Sequence, residues 1–147
     1  MSLQEQLTQD MKSALKNKEK TKLSVIRMLR SSIKKAEIDK RSTLGDDEVL
    51  DVIVKEVKQR RDSIREFEKA GRDDLVLNEQ EEMKVLESYL PEQLSEEELR
   101  LIIQSAVSEV GATSRADLGK LMPVIMPQVK GKADGKKVNQ IVMEFLS

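Results

Sequence analysis

Residues Gly119–Asn139 read GKLMPVIMPQVKGKADGKKVN, and their order sets the architecture of the tail. Met122, Ile125, Met126 and Val129 recur at the three- and four-residue spacing of a helical face. Gly131 suits the left-handed position that ends a helix, and Asp134 suits the cap that starts the next one, because its carboxylate accepts free first-turn amides. A helix, a tight turn and a second helix follow. Lys130, Lys132, Lys136 and Lys137 surround that turn, so amide donors and a helix N-terminus lie among four ammonium groups, a candidate place to hold a phosphate. The plainer reading is a solvated loop. Pro123 and Pro127 each remove an amide donor inside the first of these helices, so a kink or a split is expected near Met122–Pro123. Met122 and Met126, one turn apart, could line an adaptable groove; filling gaps in the core is the favoured reading.

The composition extends the helical reading to the whole chain. Its 147 residues fit one domain or two small ones; aromatic residues make up 2% and charged residues 36%. Leu, Val, Ile and Met supply nearly all the apolar volume, which favours helices packed on helices over sheets. An all-α fold is expected. There is no cysteine and no histidine, which removes disulfides, thiolate or imidazole zinc sites, thiol nucleophiles and the commonest general base. No cofactor or metal is called for. The N-terminus is charged and no apolar run has the length of a signal segment or a membrane span, so a cytoplasmic protein without a membrane partner is expected.

Net charge is −1, unevenly spread. Residues 12–41 carry +8, residues 42–98 carry −10 and residues 99–147 carry +3. The basic and acidic segments could attract each other inside a bundle, or the basic face could meet an acidic partner such as nucleic acid.

Taken in order, Ser2-Leu3-Gln4-Glu5 fits a capping box, and Leu3, Leu7, Met11 and Leu15 form the stripe of a first helix ending near Asn17. A second, Thr21–Lys40, turns Leu23, Ile26, Leu29 or Arg30, Ile33 and Ala36 inward, with Lys22, Arg27, Lys34 and Lys35 on other faces. Asp46 or Asp47 caps a third, with Val49, Leu50, Ile53, Val57, Ile64 and Phe67 in phase up to Gly71. Its basic run Lys55, Lys58, Arg60, Arg61 and Arg65 invites a nucleic-acid reading, but carboxylates at Glu56, Asp62, Glu66 and Glu68 favour pairing along an exposed face. A fourth helix starts at Asp73 or Asp74, buries Leu75, Val76, Met83, Leu86, Tyr89 and Leu90, and stops at Pro91. Pro91 is the one credible boundary, dividing a domain of residues 1–90 from a three-helix domain of residues 91–147. Beyond it Ser95-Glu96-Glu97-Glu98 forms another capping box, and its triple glutamate is read as capping rather than chemistry. Leu99, Ile102, Ile103, Ala106 and Val110 give that helix its apolar face, Gly111 closes it, Ser114 caps the next, and the last buries Val138, Ile141, Val142 and Phe145 or Leu146.

Tyr89-Leu90-Pro91-Glu92-Gln93-Leu94-Ser95-Glu96-Glu97-Glu98-Leu99 and Val129-Lys130-Gly131-Lys132-Ala133-Asp134-Gly135 resemble the signature of the YqeY family, also called GatB/YqeY-domain proteins. The resemblance extends over essentially the whole chain, through Val25-Ile26-Arg27-Met28-Leu29 and the run from Glu56 to Ile64. It implies an N-terminal helical domain joined to a small helical domain similar to the tail of the B subunit of glutamine-dependent aminoacyl-tRNA amidotransferase, a tail that engages tRNA. Gly119, Met126, Gly131, Lys132, Ala133, Asp134, Val138 and Asn139 match that tail pattern, while Pro123 stands where the pattern commonly has a second glycine. The catalytic body of that subunit has no counterpart here, so a family label of carbon–nitrogen ligase with glutamine as amido donor describes the relative.

The leading expectation is a non-catalytic, tRNA-associated protein contacting RNA through Lys130, Lys132, Lys136, Lys137 and Asn139. A protein–protein adaptor that binds no RNA is the alternative. An enzymatic reading would have to use Glu109, Asp117 and Asp134 with Lys120, whose spacing does not recommend it.

Overall fold

The computed structural model describes residues 1–146. They form seven α-helices, one 3₁₀ turn and no strand, so the protein is all-α. The chain divides into two compact units, one of Met1–Leu90 and one from Pro91 onward.

The first unit holds α1 (Leu3–Lys16), α2 (Lys20–Lys40), α3 (Asp46–Lys69) and α4 (Asp73–Glu87). Ser2 caps α1 by accepting the Glu5 amide at 3.1 Å, and the Leu3 amide donates to Asp46 at 3.0 Å, which ties the start of α1 to the start of α3. Leu7, Val25, Ile26, Leu29, Ile33, Val49, Ile53, Val57 and Leu86 are packed together with almost no exposure. Burying each such side chain contributes about 1.5–3 kcal/mol before entropy opposes it. Tyr89 closes this core, its hydroxyl donating to Asp10 Oδ2 at 2.6 Å. Burial, with that carboxylate next in importance, pushes the phenol pKa well above its ordinary value.

Two expectations for this unit are corrected. Leu15 is exposed and Ala14 is buried in its place. A strict four-residue repeat drifts by about 40° per step around a helix of 3.6 residues per turn, so the stripe rotates off the core by Leu15, whereas Ala14 lies seven residues from Leu7 and returns to its face. Arg60, placed on an outward basic run, is instead buried in α3 with only 8% exposure. It occupies a core position between Val57 and Ile64 in the apolar register. Its Nη1 donates to Glu56 at 2.8 Å, and Glu79 and Glu82 of α4 stand 3.9 Å from its Nε and Nη2.

The second unit holds α5 (Glu96–Val110), the 3₁₀ turn Arg115–Asp117, α6 (Leu118–Val129) and α7 (Gly135–Leu146). Ser95 and Glu98 complete the capping box, with Ser95 Oγ accepting from Glu98 at 3.1 Å and Glu98 accepting from the Ser95 amide at 3.3 Å. Ile103, Ala106, Leu121, Ile125, Val129, Val138, Ile141, Val142 and Leu146 fill the core. The choice between Phe145 and Leu146 goes to Leu146, since Phe145 is 36% exposed.

The split expected near Met122–Pro123 does not occur: α6 runs unbroken from Leu118 to Val129 through both prolines. Pro123, Pro127 and Gly119 all lie on the exposed side. The carbonyls of Gly119 and Pro123, which a proline one turn later leaves without a donor, therefore face water rather than the core. The interruption falls earlier, at the 3₁₀ turn, where Asp117 accepts the Thr113 and Ser114 amides at 2.8 and 3.2 Å. Met126 shares the proline face and is 41% exposed, against the expectation of a core residue; Met122 packs against the core.

Candidate functional site

The turn between α6 and α7 is built as its residues dictate. Gly131 has φ of +72°, a conformation in which a Cβ would crowd the backbone, so glycine ends α6 at little cost. Asp134 begins α7 by accepting the Lys136 amide at 3.2 Å, while its own carbonyl accepts from Val138. The turn is also fastened from outside. Lys132 donates its amide to Val129 at 2.8 Å, the Leu94 amide donates to the Lys132 carbonyl at 2.8 Å, and Gln93 Nε2 donates to the Gly131 carbonyl at 2.7 Å. The Pro91–Ser95 approach thus holds the turn by its inward carbonyls. Sequence reasoning assigned Gln93 and Leu94 no such part, because a hydrogen bond spanning 38 residues leaves no periodic trace.

With the backbone pinned, the side chains point away. Lys130, Lys132, Lys136 and Asn139 are exposed. Lys137 is half-buried and bonds Glu96 at 3.2 Å. Glu96 also meets Arg100 at 3.2 Å, and Arg100 reaches Glu144 at 2.8 Å, so a surface ion network ties α5 to α7. The Lys137 hydrogen bond first, and the Arg100 bond second, hold the Glu96 carboxyl below its ordinary pKa. The five candidates chosen by sequence therefore lie on one short segment, and Lys137 helps to hold two helices together. The N-terminus of α7 already carries the carboxylate of Asp134, so an incoming anion would meet lysine side chains rather than an open amide cradle.

The residues considered for amide chemistry are placed differently. Asp117 caps the 3₁₀ turn, and the Thr113 and Ser114 amides, in that order, lower its pKa. Asp134 caps α7. Both carboxylates accept backbone amides. Glu109 and Lys120 are exposed. Among the described residues no group of three or more acidic side chains converges in the manner of a metal site, and no helix is long and apolar enough to cross a membrane.

Residues 4–146 match the model of the family described as Yqey-like protein. The chain belongs to this family. It is 31% identical to the mitochondrial altered inheritance of mitochondria protein 41 of Pyrenophora tritici-repentis, over 95% of this chain and 78% of the relative. The proteins of the same name from Kluyveromyces lactis and Eremothecium gossypii are 39% and 47% identical, over 88% and 57% of this chain and 68% and 46% of their own lengths. These YqeY-domain relatives are mitochondrial by name, which overturns the cytoplasmic placement expected from the charged N-terminus. The physical reason is that an organelle address is carried by a segment separate from the folded core, so the composition of the core does not encode it.

The geometry of the turn yields a stability prediction. Gly131→Ala is expected to lower stability by about 1–2 kcal/mol, the cost of a left-handed L-residue. Gly135→Ala, at the first position of α7 where an added Cβ meets no atom within 4 Å, is expected to change it by about 0.5 kcal/mol or less. Urea unfolding of the full chain measures both, and equal effects would show that the turn is not constrained as described.

Proposed function

We propose that this YqeY-family protein is a non-catalytic, tRNA-associated helical protein whose Lys130–Asn139 corner contacts the RNA backbone. The single observation that supports the reading most is the pinned turn: its carbonyls are bound inward while Lys130, Lys132 and Lys136 are exposed on seven consecutive residues. Lysines presented this way act as point charges toward phosphates and give affinity without base selection. Base stacking is not offered, since Tyr89 is buried and Phe67 half-buried, and a lone Phe145 makes no platform. The choice of tRNA comes from the resemblance to the amidotransferase tail. The ligase label of that relative is not carried over, because Asp117 and Asp134 serve as caps.

Nuclear magnetic resonance mapping of the full chain tests the assignment. Adding bulk tRNA to isotopically labelled protein is expected to shift the amide signals of residues 130–139 ahead of those in the rest of the second unit. Shifts confined to other residues would refute the site, and the absence of any shift at low salt would favour the adaptor reading.

A further inference from the structure

A second candidate site lies in the first unit, in a cleft of about 550 Å³ between α1 and α2. Its size falls within the range of about 300–1,000 Å³ usual for small-molecule sites. Leu7 and Ile33, both almost fully buried, make its floor apolar. Arg27, Arg30 and Lys34 line its wall from successive turns of α2. None of the three has a carboxylate within salt-bridge distance among the described residues. Arg30 is steadied by a weak contact from its Nη1 to Met11 Sδ at 2.8 Å, which leaves its remaining donors for other use.

The only acid in the lining, Glu37, is already engaged. It accepts the Leu44 amide at 2.9 Å and Gln4 Nε2 at 3.1 Å, and those two bonds, in that order, hold its pKa below the ordinary value. Glu37 is therefore bonded to Leu44 and Gln4 rather than to the three cations. Three cations against one carboxylate leave the lining with an excess of two positive charges. A phosphate monoester carries about −1.5 to −2 at neutral pH and presents three acceptor oxygens. A backbone diester carries only one charge per phosphate.

We propose that the α1–α2 cleft binds a small organic phosphate monoester, its phosphate held by Arg27, Arg30 and Lys34 and the rest of the molecule lying along Gln4, Thr8 and Ser31 above the core residues Leu7 and Ile33. This site is independent of the RNA reading, since it uses no residue of the second unit.

Calorimetric titration of the full chain with adenosine monophosphate, adenosine and the dinucleoside monophosphate ApA tests it. Adenosine monophosphate is expected to bind at least about tenfold more tightly than either comparison ligand, because charged hydrogen bonds of this kind are each worth about one order of magnitude. The double variant Arg27→Ala/Lys34→Ala is expected to lose at least about tenfold in affinity. The variant Lys16→Ala/Lys20→Ala, which removes the same charge at exposed positions outside the cleft, should bind as the parent does. All four substituted residues are exposed, and unfolding curves would verify that the variants fold. Equal binding of adenosine, equal binding of ApA, or full affinity in the Arg27/Lys34 variant would each overturn the proposal.

Discussion

Arg60→Ala is expected to destabilise the Met1–Leu90 unit by about 3–5 kcal/mol, the loss typical when one partner of a buried ion network is removed. Arg60 is 8% exposed, and the side chains of Glu56, Glu79 and Glu82 around it are between 12% and 20% exposed. Three carboxylates largely withdrawn from water tolerate one another because a guanidinium sits among them. Without it each loses its counterion at once, and a cavity opens between α3 and α4. Arg60→Lys restores the point charge but not the planar fork, and should recover only part of the loss. A loss below about 1 kcal/mol in urea unfolding would mean that water screens the network as it does a surface pair.

The same variant carries a pH signature. Burial first, and Glu82 second, raise the Glu79 pKa above its ordinary value, with Arg60 opposing them. A carboxylate whose folded pKa is raised binds a proton more readily in the folded state. Its contribution to stability therefore grows as pH falls through the folded pKa toward the unfolded value. Removing Arg60 removes the opposing influence and raises Glu79 further. The deficit of Arg60→Ala relative to the parent should thus be largest near neutral pH and shrink as pH falls toward the ordinary glutamate range. A deficit independent of pH would assign the effect to packing alone.

Arg60 also marks where the sequence was readable and where it was not. The all-α class followed from residue types, and caps at Ser2, Ser95 and Asp134 were visible because capping depends on local order. Arg60 stands on the apolar phase of α3, midway between Val57 and Ile64, and that register was the available signal. A basic residue there is compatible with either an exposed pair at Glu56 or a buried centre, and only the approach of Glu79 and Glu82 from α4 decides between them. The prolines of α6 misled for a related reason: their cost depends on whether the orphaned carbonyl faces core or water. The lysine corner was legible as charge and turn, whereas its fastening by Gln93 and Leu94 arises from chain segments far apart in sequence.

The second large effect is expected at that corner. Lys132→Glu/Lys136→Glu replaces two attractions to phosphate by two repulsions and should weaken tRNA binding by roughly 100-fold at low salt. Both residues are exposed and neither contributes to the core of the second unit, so unfolding stability should stay within about 0.5 kcal/mol of the parent. Lys137→Ala is a useful contrast, because Lys137 bonds Glu96; its effect on RNA should be smaller. Undiminished binding by the double variant would remove the corner from the interface even if the protein binds RNA elsewhere.

The most direct test is the affinity of the full chain for bulk tRNA, followed from about 50 to about 200 mM monovalent salt. Three lysine–phosphate contacts predict that the logarithm of affinity falls with the logarithm of salt at a slope of roughly −2 to −3. No binding at the lowest salt, or an affinity that salt leaves unchanged, would contradict a backbone-binding role and direct attention to protein partners.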